Sequence, residues 1–585
     1  MSSLIQKLQQ SSRAVAAAAL TALLAAWSPV AAFSQDGVVA GQQQQQTGQV
    51  TGQQQSPPGQ NSITQAIPGS PEVPKDRVGI RPGEVQLMAL QEAIAQGLQN
   101  NLDIEQFRQG VRISEFSLFS LRGFYDYTSG AGIGFRSSIN PTSSSLSGGN
   151  SGTLSSKSLY YNFTTSKQFE ATGGTLFAEF DNSRNLSSNI FASLNPQYNT
   201  TLTFTFTQPL LRNFSLDAQR RSIRLAQKSL DLSDSQFRQR VIEIINQVQR
   251  AYWDLVFAIQ NEKIARDSVD LAKTQLDNNR KMVEAGTLAP IELRSTEAQL
   301  ETAKGNVIVA LQGITTAENA LKILLLKDPN DKIWYSEISP TDQPQKADFA
   351  FNLEESTRLA LKNRPELEQM RLQTEQKEID IKYYTNQLKP QLDLIGTYAN
   401  TGLAGAAQNA VVVGGGGGST VLPRFQGGYF QSLKNLFGQD FRTYQVGVQL
   451  SFPWRNRTAK ANLGRTLAEQ RQLDARQRQL VETVQVDVRN ALQAVVASKQ
   501  RFEAAQAGEL AAMAQYSGEQ ERYRAGLSTN FVVLQRLTDL SVARGTTVRA
   551  LTDYNKALAD LQRVTGMTLM SNNVEISSKP TDAKK

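Results

Sequence analysis

The side chains that most often carry out chemistry in proteins are missing from this sequence. Its 585 residues include no histidine and no cysteine. Histidine is the commonest general base and metal ligand, and cysteine supplies thiolate nucleophiles and disulfides. The sequence therefore excludes serine-histidine-aspartate catalysis, histidine-based zinc sites and disulfide bonds. We expect no catalytic residue, no cofactor and no metal site.

The stretch VVVGGGGGSTVL could in principle cradle a phosphate group. A phosphate-binding loop requires a helix that starts with Lys-Ser or Lys-Thr directly after the glycines, and none follows here. We interpret the stretch as a surface loop. Lysine and arginine are interspersed with acidic residues, and the formal net charge is +8. This pattern gives no support for nucleic-acid binding.

The N-terminus has the pattern of a secretory signal peptide. Lys7 and Arg13 precede an apolar run from residue 14 to 27, and small residues follow it. Because the run is shorter than the roughly 20 residues of a membrane span, a cleaved leader over residues 1–34 is favoured over an anchor. Residues 35–83 are rich in Gln, Pro and Gly and predict a disordered linker. Without cysteine, a bacterial lipid anchor is not expected.

A strand pattern runs directly into a very long helix pattern. LTFTFTQPLLR, residues 202–212, alternates apolar and polar residues up to Pro209, and residues 214–285 contain neither Gly nor Pro. A helix of that length would extend roughly 108 Å and needs partners along its whole length. TYQVGVQLSFPW repeats the strand pattern up to Pro453. We expect both prolines at strand-to-helix junctions, where proline ends a hydrogen-bond ladder.

The chain repeats itself. EAGTLAPIEL around Gly286 matches RAGLSTNFVVL around Gly526, and the helices that follow share one apolar seam at a constant offset of 240 residues. The first-repeat seam consists of Leu300, Ala303, Val307, Ala310, Ile314, Ala317, Leu321 and Leu324. Spacings of three and four indicate coiled-coil packing. A tandem duplication follows, in which each repeat contains a helix, strands, a long helix, a glycine turn and a return helix.

The strands have one apolar face and one face of uncharged polar residues. A soluble sandwich and a membrane barrel with water inside both give this alternation. We count four candidate strands in the first repeat and two in the second: residues 124–135, 160–169, 176–180 and 202–207, and residues 392–398 and 443–452.

With these motifs in place, the sequence resembles the TolC-like outer-membrane factor family over residues 84–566. The resemblance rests on the duplication, on QPLLRN and FPWRNRTAKA at the junctions, and on AGTLAPIEL and AGLSTNFVVL at the turns. It implies an α+β membrane protein and a homotrimer. Long coiled-coil helices would form a periplasmic α-barrel, joined to a transmembrane β-barrel of twelve strands, two from each repeat. The surplus strands would be an extra surface hairpin, or else the early strands are broken.

The resemblance also implies where partners bind. The turns at Gly286, Thr287 and Leu288 and at Gly526, Leu527 and Ser528 would contact a periplasmic adaptor protein, itself bound to an inner-membrane transporter. Both glycines also fit simple helix C-caps, and the two roles are compatible.

The pore constriction departs from the family pattern. Family members carry aspartates after the second turn, where this sequence has Val532 and Gln535. Glu292, after the first turn, is then the candidate acid. A ring of three Glu292 side chains would admit cations, and a solvated acid at a helix start is the alternative.

The expected boundaries follow from these motifs. The first repeat covers residues 84–327, with strands in 124–208, a long helix over 213–285 and a return helix over 291–327. A connecting segment covers 328–350. The second repeat covers 351–566, with a helix over 353–389, strands in 391–452, a long helix over 455–525 and a return helix over 530–566; a polar, frayed tail covers 567–585.

The expected function is a passive exit duct in the bacterial outer membrane, part of a tripartite efflux or type I secretion system. The alternative is a periplasm-spanning structural coiled coil with a β segment and no lumen. An outer-membrane enzyme such as a phospholipase is disfavoured by the absence of His and Cys. No feature of the sequence identifies the exported substrate or the inner-membrane pump.

Overall fold

The computed structural model describes residue 74 and residues 77–144, 148–149, 152–344, 352–409 and 421–576. The expected signal peptide, most of the expected linker, much of the glycine-rich stretch and residues 577–585 lie outside these described residues. The described part contains two matching halves, each with short helices, strands, a very long helix and a return helix.

Both halves run from short helices through strands to a long helix and a return helix, but a helix separates the two strands of the second half. The elements of the first half are β1 (Val85–Met88), α1 (Leu90–Asn100), α2 (Leu102–Arg122), β2 (Thr128–Pro141), β3 (Thr153–Gln168), β4 (Thr175–Ser187), β5 (Leu194–Pro209), α3 (Ala218–Glu284) and α4 (Ile291–Leu325). Those of the second half are β6 (Glu337–Pro340), α5 (Leu353–Asn363), α6 (Pro365–Gln387), β7 (Gln391–Ala407), α7 (Tyr429–Phe437), β8 (Arg442–Ser451), α8 (Arg457–Arg524), α9 (Asn530–Val564) and α10 (Thr568–Ser571). Helices α3 and α8 have 67 and 68 residues, so each is about 100 Å long.

Both long helices begin later than the sequence indicated. Helix α3 starts at Ala218 and not at residue 213, because Asp217 caps it by accepting a hydrogen bond from the Arg220 N–H at 2.8 Å. Asn213 has a φ of 67° and Asn456 a φ of 40°, and this left-handed backbone cannot belong to a right-handed helix. Helix α8 accordingly starts at Arg457 and not at residue 455.

The helix expected over 353–389 is two helices. Arg364 is extended, with φ −71° and ψ 125°, and Pro365 is the first residue of α6. Proline disfavours helical backbone in the residue before it, so the chain bends at Arg364. The first half bends at the equivalent place, where Asn101 is also extended and caps α2.

The coiled-coil seam is confirmed. Helix α3 packs against α4, α8 packs against α9, and α3 also contacts α9. The return helix α4 buries six of its eight expected seam positions: Leu300, Ala303, Val307, Ala310, Ile314 and Leu321. By length and composition alone, helix α4 is also long and apolar enough to cross a membrane. About a third of this apolar stretch is buried, and Val309 and Ile323 are each 66% exposed.

Residues at both ends of the described part pack against the core beyond the expected repeat limits. Arg77, within the expected linker, is paired with the buried Glu318 carboxylate, and the Arg81 N–H donates to the Tyr335 carbonyl at 2.8 Å. Within the expected frayed tail, Leu569 and Val574 pack against the main core. These few anchoring side chains order segments whose overall composition is polar.

Six strands form one antiparallel sheet in the order β2-β3-β4-β5-β7-β8. The first half supplies four strands and the second half supplies two. Strands β3 and β4 have 16 and 13 residues, and they pair from Gln168 opposite Thr175 to Ser156 opposite Ser187. They are therefore full members of the sheet and not a separate surface hairpin. Among the described residues, the six strands of this sheet do not match the four that each chain of a twelve-stranded trimer would contribute.

The side chain of Arg220 connects the sheet to the first long helix through hydrogen bonds. The Arg220 guanidinium is buried and donates to the Asp217 carboxylate at 3.0 Å, to the Phe214 carbonyl at 2.9 Å and to the Ala171 carbonyl at 3.1 Å. Pro209 is the last residue of β5, nine residues before α3, and is not in the first helical turn. Pro453 likewise lies between β8 and α8. Arg220 thus joins the turn between β3 and β4 to the start of α3.

Candidate functional site

One face of the sheet carries mostly polar side chains. Because side chains alternate along each strand, the register brings together rows of side chains on the same face. One such row contains Thr164, Glu179, Thr203, Ala399 and Thr443, in five neighbouring strands. The next row contains Thr205 and Thr397, whose hydroxyl oxygens are 3.5 Å apart. This face is suited to contact with water.

The opposite face is apolar and largely uncovered. Phe204, Tyr398 and Tyr444 form a row across β5, β7 and β8, with ring centroids 6.5 and 5.2 Å apart. On the edge strands, Ile133 is 78% exposed and Val446 is 79% exposed. Exposed apolar surface of this extent marks contact with a partner or with lipid. Apolar and polar faces that alternate in this way are typical of a wall between lipid and water.

The two edge strands of the sheet, β2 and β8, run in opposite directions. Strands β2 and β8 each pair on one side only among the described strands. Strand β2 follows helix α2 and runs away from the helices, whereas β8 runs back towards helix α8. Edge β8 of one copy can therefore pair in antiparallel fashion with edge β2 of another copy.

The two glycine turns at the helical tip have the same geometry. Gly286 and Gly526 both have a φ of 72°. The Gly286 N–H donates to the Val283 carbonyl at 3.0 Å, and the Thr287 N–H donates to the Met282 carbonyl at 2.9 Å. The second turn repeats both bonds, so each turn is a Schellman cap. No atom lies within 4 Å of a Cβ built on either glycine, so the positive φ is what requires glycine here.

The remaining expected contact residues surround these caps. Leu527 is 70% exposed, Thr287 is exposed, and Leu288 and Ser528 are half-buried. The structure therefore places all six expected tip residues at one end of the helices, in two matching loops.

A buried polar cluster lies directly behind the turns. We call it the tip lock, and it consists of Gln275 and Asn279 of α3, Glu292 and Thr296 of α4, Tyr523 of α8 and Asn530 of α9. The Asn279 amide donates to Asn530 Oδ1 and to Thr296 Oγ1, both at 2.8 Å. The Tyr523 hydroxyl donates to Asn279 Oδ1 at 3.0 Å. Every long helix and every return helix contributes, so the tip lock links both halves of the chain.

The three candidate constriction residues differ in their surroundings. Glu292 is half-buried, and its carboxylate accepts a hydrogen bond from the Asn530 amide at 3.3 Å. Gln535 is exposed and donates to Asp539 Oδ1 at 3.0 Å, while Val532 is half-buried. Of the three, Glu292 alone belongs to the tip lock. Burial, and then the charge of Glu292, raise the pKa of the Tyr523 hydroxyl above its ordinary value.

Sequence reasoning missed the two asparagines at the centre of the tip lock. Asn279 is completely buried and Asn530 is 2% exposed. Asn279 continues the seam of Ala272 and Leu276, so a polar residue at a seam position was the available signal.

Solved structures similar to this chain include several outer-membrane channels. The chain is similar to CmeC of Campylobacter jejuni, with 16% identity, a TM-score of 0.58 and coverage of 82% of this chain and 86% of that one. It is also similar to VceC of Vibrio cholerae, with 12% identity, a TM-score of 0.56 and coverage of 82% and 96%. The chain is similar as well to the open state of MtrE of Neisseria gonorrhoeae, with 19% identity, a TM-score of 0.50 and coverage of 82% of this chain and 89% of that one. At these identities the likeness establishes the fold.

The family model for outer membrane efflux proteins matches residues 175–325 and 357–567, which is more than half of the chain. The chain therefore belongs to the outer membrane efflux protein family, a family of channels and not of enzymes, as the resemblance indicated. No curated protein sequence matches significantly. The family match begins at Thr175, the first residue of β4, so it leaves out β2 and β3.

Proposed function

We propose that three copies of this chain form a passive exit duct through the outer membrane, as part of a tripartite efflux or type I secretion system. The observation that carries the proposal is a sheet with one polar face and one apolar face, whose two edge strands run in opposite directions. Three sheets joined edge to edge would close into a barrel with the threonine-rich face inside and the apolar face towards lipid.

The barrel of this duct would have eighteen strands, because six strands form the sheet in the part of each chain that the structure describes. With strands 4.8 Å apart and tilted by about 40°, eighteen strands give a barrel diameter of about 36 Å, compared with about 24 Å for twelve. Strands β3 and β4, inserted between β2 and β5, account for the difference.

The helices would continue the duct into the periplasm and end at the two capped turns. Exposed Leu527 and Thr287 would contact a periplasmic adaptor, which itself binds the inner-membrane transporter that supplies energy. Opening requires that the adaptor bind the open tip more tightly than the closed tip. In the closed tip, the tip lock holds the four helices of each chain together.

Single-channel recording in planar bilayers tests this function. The wild-type protein should conduct in steps and prefer cations, because three Glu292 carboxylates would gather at the tip. Glu292→Gln should reduce that preference, whereas Glu284→Gln, at the exposed end of α3, should leave it unchanged. If a folded trimer conducts no current, the structural coiled coil without a lumen replaces the duct. If conduction persists with unaltered selectivity in Glu292→Gln, the duct stands and Glu292 does not set its selectivity.

A further inference from the structure

Helix α7 packs on the apolar face of the sheet, at the end far from the long helices. Its Tyr429 hydroxyl donates to Asn182 Oδ1 of β4 at 3.0 Å, and its Asn435 amide donates to the Leu403 carbonyl of β7 at 2.8 Å. The Ser432 hydroxyl is 2.8 Å from the Thr200 hydroxyl of β5. The helix is therefore held to the sheet by hydrogen bonds.

The sheet residues under α7 are polar, unlike the aromatic row of Phe204, Tyr398 and Tyr444 on the same face. Asn182 is 3% exposed, Thr200 is completely buried and Asn400 is 4% exposed. Gly402 lies so close to α7 that a Cβ there would be 2.0 Å from the Ser432 carbonyl oxygen. Uncovered, these polar groups would face lipid at a cost of several kcal/mol each. Helix α7 covers them and forms hydrogen bonds with them.

The outward side of α7 is aromatic and basic, whereas its buried side contains Ser432, Asn435 and Leu436. Phe430 is 83% exposed and Phe437 is 70% exposed, with exposed Lys434 between them. Arg424 precedes the helix, and its carbonyl accepts hydrogen bonds from Gln431 and Asn435. Residues 421–442 contain three basic residues, Arg424, Lys434 and Arg442, and one acidic residue, Asp440.

The height of α7 on the sheet matches the thickness of a membrane. Thr200 is nine residues from Pro209, the helix-side end of β5. At 3.3 Å per residue and a tilt of about 40°, nine residues rise about 23 Å. The lipid-facing band of outer-membrane barrels is about 25 Å tall. Helix α7 therefore lies where acyl chains give way to headgroups.

We propose that α7 and Arg424 form a binding surface for the anionic lipid headgroups on the external side of the membrane. Phe430 and Phe437 enter the boundary between acyl chains and headgroups, where aromatic side chains are favoured. Lys434 and Arg424 contact the lipid phosphates. This inference rests on the proposed function, because it requires the apolar face of the sheet to be in lipid.

Spin labels can measure the depth of this surface, and the chain has no cysteine that would compete for the label. Phe430→Cys, Phe437→Cys, Val446→Cys and Thr205→Cys are labelled separately in vesicles of phosphatidylcholine with and without phosphatidylglycerol. The ratio of the label's collision rate with oxygen to its collision rate with a water-soluble nickel reagent increases with depth in the membrane. We expect this ratio to be above one at positions 430 and 437, and higher still at position 446. Position 205, on the polar face, should be accessible to the nickel reagent.

The charged contacts are tested in the same samples. Adding phosphatidylglycerol should move the label at position 437 deeper, and Arg424→Gln with Lys434→Gln should abolish that shift. Nickel-accessible labels at 430 and 437 beside a lipid-exposed label at 446 would overturn the inference and leave the duct intact. Immobile labels at 430 and 437 that neither reagent reaches would show that a second copy covers α7, and would also overturn it. If the label at 446 is in water, the proposed function itself fails.

Discussion

Two asparagines hold the tip of the molecule together. Asn279 and Asn530 lie on helices from different halves of the chain, and their side chains bind each other and their neighbours away from water. Buried amides without partners are costly, so each asparagine stabilises the packed arrangement and opposes the separation of the helices. The balance between closed and open tips should therefore depend on these two side chains.

Asn530→Ala should loosen the tip by about 1–3 kcal/mol, because it leaves the Asn279 amide with one partner fewer in a buried site. In single-channel recordings this change should increase the open fraction in the absence of an adaptor. Asn278→Ala, at the half-buried neighbour of Asn279, is the matched control and should leave the recordings unchanged. Equal behaviour of Asn530→Ala and wild type would show that the tip lock does not restrain opening.

The tip should also respond to alkaline pH through Tyr523. Its pKa is raised in the packed tip of this structure, by burial first and by Glu292 second, so this packing favours the protonated hydroxyl. The stabilisation is complete below the usual tyrosine pKa of about 10 and is lost as the pH rises through the raised value. The open fraction should therefore increase above about pH 10, and Tyr523→Phe should remove that dependence. A pH profile that Tyr523→Phe does not alter would assign the titration to another group.

At the scale of the elements, the junction between sheet and helix depends on one buried ion pair. The side chains of Arg220 and Asp217 are 8% and 11% exposed, and Arg220 also binds carbonyls on both sides of the junction. Arg220→Ala should lower the free energy of unfolding by about 3–5 kcal/mol, because it leaves the Asp217 charge buried without its partner. Arg224→Ala, one turn further along α3 and exposed, should change it little. Denaturant unfolding of the two variants would measure the difference, and equal midpoints would contradict this role for Arg220.

The helices and turns also show which features could be predicted from the sequence. The seam of α4 was predictable because a period of three and four residues is local information that packing then satisfies. Helix α7 was not predicted, because its buried side mixes Ser432 and Asn435 with Leu436 while Phe430 faces outward. The start of α3 was misplaced because nothing in the pattern reveals that Asn213 has left-handed backbone. The tip turns were located by glycine, but the tip lock behind them required the packing of four helices.

At the scale of the whole molecule, the number of strands sets the width of the duct. The alternation in β3 and β4 was visible in the sequence, but membership of the sheet depends on pairing with strands far along the chain. Family resemblance favoured twelve strands, and the six strands of this chain instead give eighteen for three copies. A closed barrel of eighteen strands requires β8 of one chain to pair with β2 of the next.

Disulfide cross-linking between those two edges tests this account most directly, because any disulfide must come from introduced cysteines. Ala131→Cys on the apolar face of β2 is combined with Val446→Cys or Val448→Cys on the same face of β8. The control combines Phe163→Cys of β3 with Val446→Cys, since β3 has neighbours on both sides within its own chain. We predict a covalent trimer upon oxidation of at least one edge pair and none from the control. Monomers alone from both edge pairs in a conducting preparation would contradict the closed eighteen-stranded wall.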